Sequence, residues 1–279
     1  MRAINAVAVA GFLSASASAQ NSTATCATGV HVIVARGSNE AAGVGRIGSV
    51  ATGVVAAVPG SQIEALDYPA TFDNYSTSVA AGTEAMKIAL TRYNSQCPDS
   101  KVALLGYSQG AHVVGDTLCG NTQDDKSDNV DIDFNVTTPV AASVVDQSVV
   151  AVILFGDPTH DTSASWNRGT STHDGLFPRE NVTACESYAP KIESYCDTGD
   201  IYCDLGNNTK VHGSYFVNYT KDAVDFVVAQ FNAAKPSSAN GTSPTTTSKP
   251  APASGPAPLS APVMLMPLIG LSVAVTHLL

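Results

Sequence analysis

An α/β fold, a three-layer α/β/α sandwich around a central five-stranded parallel sheet, is predicted by three features of the sequence. Short apolar runs alternate with longer helical patterns, the run Val149–Phe155 is apolar throughout, and a Gly-x-Ser-x-Gly turn joins one run to one helix. Such alternation marks β-α-β units, and unbroken apolarity marks strands buried on both faces.

In chain order, Val30–Ala35 reads as a buried strand and 44–58 as a Gly- and Ala-rich helix. A second strand over 63–68 stops at Pro69, and 76–93 carries Val79, Met86, Ala89 and Leu90 at helical spacing. Lys101–Tyr107 is the third strand, followed by a helix over 109–118. Val149–Phe155 is the central strand, closed by Gly156-Asp157-Pro158, a triplet that a strand interior does not tolerate. A short strand over 192–195 and a helix over 214–231, with Phe216, Val224, Val227, Val228 and Phe231 toward the sheet, complete the pattern.

Both ends read as processing segments. Arg2, the apolar run through Leu13 and Ala17-Ser18-Ala19 make residues 1–19 a secretory signal peptide, cut before Gln20 and too short to span a bilayer. Residues 235–260 are rich in Pro, Ser, Thr and Ala and form a linker without the large apolar side chains a core needs. The apolar tail 261–279 has His277 as its one ionisable side chain and no basic flank, the pattern of a removable GPI signal rather than a permanent tail anchor. Ser254 or its small neighbours, and Asn240 further upstream, are the candidate attachment sites. Residues 20–234 remain as one domain with enough chain to bury a core.

A formal charge of −10, with 14 Lys and Arg against 24 Asp and Glu, argues against a nucleic-acid partner, whose affinity rests on neutralising phosphates. Six cysteines behind a signal peptide, none in a C-x-x-C pair, imply an oxidising compartment and three disulfides rather than a metal site. Sequons at Asn21, Asn74, Asn135, Asn181, Asn207, Asn218 and Asn240 agree with secretion and carry glycans only where exposed.

Gly106-Tyr107-Ser108-Gln109-Gly110 between strand and helix is a nucleophile elbow. The turn lifts the serine out of the sheet edge, and the flanking glycines let strand and helix pass without a Cβ collision. A serine hydroxyl needs a base, and the base an acid to fix its tautomer. The expected order is serine, acid, histidine, which excludes His31, ahead of Ser108, while His112 sits on the helix after it and His277 in the tail. His160, His173 and His212 remain, and Asp157 is able to serve either of the first two. Cys196-Asp197-Thr198-Gly199-Asp200-Ile201-Tyr202-Cys203 decides for Asp200 and His212, because a bridge between its cysteines would fix Asp200 on a tight loop. Asp157 is then a turn residue.

ARGSNE (35–40), YPA (68–70), NSQCP (94–98), GYSQG (106–110), GDP (156–158), CDTGDIYC (196–203) and His212 resemble the cutinase and acetylxylan esterase family along nearly the whole domain. The resemblance implies a small α/β-hydrolase with Ser108, Asp200 and His212 as its triad, and an oxyanion hole from Ser38 and the Gln109 N–H. It also implies disulfides Cys26–Cys97, Cys119–Cys185 and Cys196–Cys203. This chemistry calls for no metal or cofactor. The expected partner is an ester in acetylated polysaccharide or cutin; the protein is expected to be monomeric, of fungal origin, and held at a membrane or wall only through the GPI anchor. ARGSNE resembles the cutinases, whereas YPA, NSQCP and Cys119-Gly120 resemble the acetylxylan esterases. The polar stretch 160–180 with Trp166 suits a carbohydrate, which favours the deacetylase over a cutinase and over a wall protein that has lost catalysis.

Overall fold

Strand side chains alternate between faces, so a strand apolar at every position needs a cover on both sides. That is the arrangement in the computed structural model, which describes residues 25–121, 132–180 and 182–235. Its strands are β1 (Val30–Ala35), β2 (Gln62–Ala65), β3 (Lys101–Tyr107), β4 (Val149–Phe155), β5 (Asn167–Gly169) and β6 (Ile192–Cys196). They form one sheet in the order β2-β1-β3-β4-β6-β5, and every pairing is parallel.

The helices are α1 (Gly48–Ala57), α2 (Tyr75–Gln96), α3 (Gln109–Cys119), α4 (Ala142–Ser148), α5 (Thr209–His212), α6 (Tyr215–Asn218) and α7 (Thr220–Ala234). Ile33, Leu104, Val152 and Leu154 meet Met86 and Leu90 of α2 and Val113 of α3 in one core. Val32, Leu105, Ile153 and Phe155 meet Val50 and Val54 of α1 and Val227 and Phe231 of α7 in the other. The three layers are therefore α2 and α3, the sheet, and α1 and α7.

The sheet has six strands where the sequence reading gave five. The extra strand, β5, is three residues long and reads Asn-Arg-Gly; its partner β6 makes it a strand, and its own composition does not. The helix expected over 214–231 is broken at Tyr219 into α6 and α7, and Thr220 Oγ1 donates to Phe216 O across the break. The helix expected from 44 begins at Gly48, after Gly45 takes a positive φ of 56°.

Disulfides join Cys26 to Cys97, Cys119 to Cys185 and Cys196 to Cys203. Contacts divide the chain into Met1–Pro236 and Ser237–Leu279. The expected signal peptide, all but the start of the linker, the tail and its attachment sites, and sequons Asn21, Asn181 and Asn240 lie outside the described residues, while Asn74, Asn135, Asn207 and Asn218 are exposed. Among the described residues no helix is long and apolar enough to cross a membrane.

Candidate active site

Where β3 ends, the chain reverses into α3 in one residue. Ser108 takes φ 52° and ψ −120° there, a conformation that costs a non-glycine residue of order 1–3 kcal/mol and persists only when the surroundings impose it. They do: Ser108 N–H donates to Phe155 O of β4 at 2.8 Å. The glycines on either side leave no room for a side chain. A Cβ on Gly110 would lie 2.0 Å from Ala35 O, and one on Gly106 would lie 2.5 Å from Gly110 O.

Ser108 Oγ is 2.9 Å from His212 Nε2. On the other side of the ring, His212 Nδ1 is 2.8 Å from Asp200 Oδ2 and 3.1 Å from Oδ1. A carboxylate only accepts, so Nδ1 carries the proton and Nε2 is left to accept from the serine. Asp200 is fully buried and His212 nearly so. Burial alone opposes ionisation of Asp200. Bonds from His212, Tyr215 and the Tyr202 N–H outweigh it and hold its carboxyl below the usual range.

The Cys196–Cys203 loop presents Asp200 through its backbone: Tyr202 N–H and Cys203 N–H donate to Oδ1 at 2.8 and 3.2 Å. Asn208 caps α5, which ends at His212, by accepting from Lys210 N–H. Three side chains that the sequence reading missed hold this corner. Tyr107 OH donates to His212 O at 3.0 Å, Arg46 Nη2 donates to Gly213 O at 2.8 Å, and Tyr215 OH donates to Asp200 Oδ2 at 2.6 Å. Gly156 also matters, because a Cβ there would lie 2.8 Å from the imidazole Cε1.

The rival constellation is occupied otherwise. Asp157 Oδ1 accepts from Thr159 N–H and Thr159 Oγ1 as in an Asx turn. His160 is buried, and His173 is exposed beside Asp204. His112 is buried on α3, between Tyr75 and Asp116.

The ARGSNE loop is tied down by its own ends. Arg36 donates to Tyr68 O and Glu40 O, and the Glu40 carboxylate accepts from Gly37 N–H and Arg46 N–H. Ser38 Oγ, buried on this loop, has no hydrogen-bond partner among the described residues. Gln109 is the first residue of α3, so its N–H has no acceptor within the helix. Its side chain is spent on Ser78 and Thr71 O. Ser38, Ser108 and His212 line one cavity of about 380 Å³ with Phe72, Tyr75, Leu176, Phe177 and Tyr202 among its walls. Among the described residues no group of His, Cys, Asp or Glu side chains gathers as metal ligands do.

A profile of the cutinase family matches residues 26–231. The chain belongs to the cutinase family. Acetylxylan esterase 2 of Talaromyces purpureogenus is 37% identical over 71% of this chain and 85% of its own. Cutinase 11 of Verticillium dahliae is 35% identical over 78% and 72%. The solved catalytic core domain of the acetyl xylan esterase from Trichoderma reesei superposes with a TM-score of 0.66 at 35% identity, covering 74% of this chain and all of that one. As a member of this family, the protein is a carboxylic ester hydrolase of α/β-hydrolase fold.

One expectation about this cutinase-family site is corrected. Trp166, counted with the polar stretch 160–180 as suiting a carbohydrate, is 7% exposed and belongs to the core that α2 and α3 cover. The same polar stretch gives the cavity Leu176 and Phe177 instead, and Phe72 stands 51% exposed at its wall.

Proposed function

We propose that the protein is a secreted serine esterase acting through Ser108, His212 and Asp200. The observation that carries this reading is the unbroken row from Ser108 Oγ through the imidazole to the Asp200 carboxylate beside an open cavity. His212 Nε2 takes the hydroxyl proton as Ser108 Oγ attacks the ester carbonyl. The oxyanion is held by the Gln109 N–H and the Ser38 hydroxyl, which has no hydrogen-bond partner among the described residues. His212 then gives the proton to the departing alcohol. Water, deprotonated in turn by His212, releases the acid and restores Ser108.

The substrate is an acetyl ester of plant cell-wall polysaccharide, in line with the acetylxylan esterases among the relatives. One observation favours a second reading: the cavity is large for an acetyl group and mostly apolar, as a cutinase acting on longer acyl chains requires. Three disulfides and exposed sequons support secretion. The tail 261–279 would be exchanged for a GPI anchor, and release of activity from cells by a phosphatidylinositol-specific phospholipase tests that.

The deciding experiment is hydrolysis of 4-nitrophenyl acetate and octanoate by the secreted protein and by Ser108→Ala. Loss of activity in the variant identifies the nucleophile, and the preferred ester separates the two substrate readings. A folded protein inert on both esters and unlabelled by a serine-directed phosphonate would instead be a wall protein on a hydrolase scaffold.

A further inference from the structure

The Asp200 carboxylate has more donors than a histidine partner requires. Oδ1 takes the N–H groups of Tyr202 and Cys203, while Oδ2 takes both His212 Nδ1 at 2.8 Å and Tyr215 OH at 2.6 Å. Tyr215 opens α6, three residues after His212, and is wholly buried with its ring near Phe155 and Tyr219. Its oxygen accepts from Asp197 N–H at 3.1 Å, and of the two acceptors in reach the carboxylate at 2.6 Å is stronger than the disulfide sulfur Cys203 Sγ at 3.3 Å, so the hydroxyl proton goes to Asp200.

We propose that Tyr215 is a positioning residue that sets how strongly Asp200 holds the protonated His212, by drawing carboxylate charge onto its own hydroxyl. The inference rests on the triad reading above. A carboxylate oxygen shared between two donors gives less to each. The imidazolium is therefore stabilised less than it would be by a free carboxylate, and the neutral, proton-accepting ring persists to lower pH. The bond also fixes where Oδ2 stands, and with it the tilt of the imidazole toward Ser108.

The other ionisable groups around this pair act elsewhere. Tyr107 and Arg46 hold the backbone carbonyls of His212 and Gly213. Tyr202 packs its ring edge-to-face on His212 at 4.6 Å. Asp197 accepts from Tyr219 OH, and Asp204 accepts from Gly199 N–H, Ser171 and His173. Among the described residues, His212 and Tyr215 are the side-chain donors to Asp200.

The test is the pH dependence of kcat/KM for 4-nitrophenyl acetate, measured on the full secreted protein, on Tyr215→Phe, and on protein with Tyr215 replaced by 3-fluorotyrosine. Ser108→Ala is the control. Removing the hydroxyl should move the acid limb of the profile up by about half a pH unit to one unit. The fluorinated ring, a stronger donor of the same shape, should move it down. Opposite displacements are not produced by a packing role. Coincident acid limbs, or two shifts in the same direction, overturn the inference while an inert Ser108→Ala leaves the triad reading standing. If Ser108→Ala stays active, the triad reading falls and this one with it. Should Tyr215→Phe fail to fold, the fluorotyrosine protein decides alone: an unmoved acid limb refutes the proposal.

Discussion

Gly110→Ala is a single methyl group placed where two backbones cross. The new Cβ would lie 2.0 Å from Ala35 O, 2.5 Å from Ala35 C and 2.6 Å from Arg36 O. None of these is the end of a side chain able to swing away, so α3 has to retreat from the end of β1 by more than about 1 Å to restore van der Waals contact. Overpacking of this kind costs about 3 kcal/mol or more, which for a domain of this size lowers Tm by about 6–12 °C. The retreat separates the first N–H of α3 from the loop that carries Ser38, so the proposed oxyanion donors part from each other and from Ser108. A misplacement of about 1 Å costs about a hundredfold in kcat. The assay is kcat and KM on 4-nitrophenyl acetate beside a thermal melt. Gly53→Ala is the control: the nearest atoms to its Cβ belong to the Val224 side chain on α7, away from the site, so any loss should appear in Tm while kcat stays unchanged. A Gly110→Ala protein with unaltered kcat and a Tm within about 2 °C of the parent would refute the crossing argument.

Asp116 Oδ1 accepts from Arg179 Nη1 at 2.9 Å in the core beneath the site. Burial opposes its charge, but His112 and Arg179 outweigh burial and hold its carboxyl below the ordinary range. A depressed carboxyl contributes stability above its unfolded value and loses it as pH falls through the folded one. Asp116→Asn, which removes the counter-charge of Arg179 and leaves it Gly120 O and Thr159 Oγ1 as acceptors, should therefore cost about 3 kcal/mol at pH 7. By urea titration the gap from the parent should narrow below about pH 4, and a gap independent of pH would contradict the assignment. Trp166→Ala should cost about 3–5 kcal/mol in stability and leave the acetate to octanoate ratio unchanged. Phe177→Ala should lower kcat/KM for octanoate about tenfold relative to acetate, and equal ratios in the two variants would show that neither ring faces substrate.

The strands of the sheet centre were legible because their signals are local. β3 and β4 have the bounds read from sequence, each an apolar run with a glycine turn just beyond it. β5 was invisible, since Asn-Arg-Gly becomes a strand only by lying beside Ser194, Tyr195 and Cys196. Ser108, Asp200 and His212 were named from an elbow, a cysteine-bounded loop and chain order, and they lie in one hydrogen-bonded row. Arg46 and Tyr215 were not named, and Tyr107 was named only as part of the third strand and the elbow. A tyrosine aimed at a carboxylate has the same spacing as one packed in a core, although its place three residues after His212 was a usable sign. Trp166 misled for the converse reason. Polar neighbours describe the exposed side of a loop and say nothing of a large ring that turns inward.

The three disulfides close stretches of chain that neither overlap nor nest: Cys26 to Cys97, Cys119 to Cys185, Cys196 to Cys203. The cysteines pair consecutively in chain order, first with second, third with fourth and fifth with sixth. A polypeptide entering an oxidising lumen N-terminus first therefore meets its native partners in order of arrival, and every bridge is able to close before the next cysteine emerges. The bridge around Asp200 is the last in that order, and all six strands begin before it in the chain, so vectorial closure would lock the carboxylate only once the whole sheet has arrived.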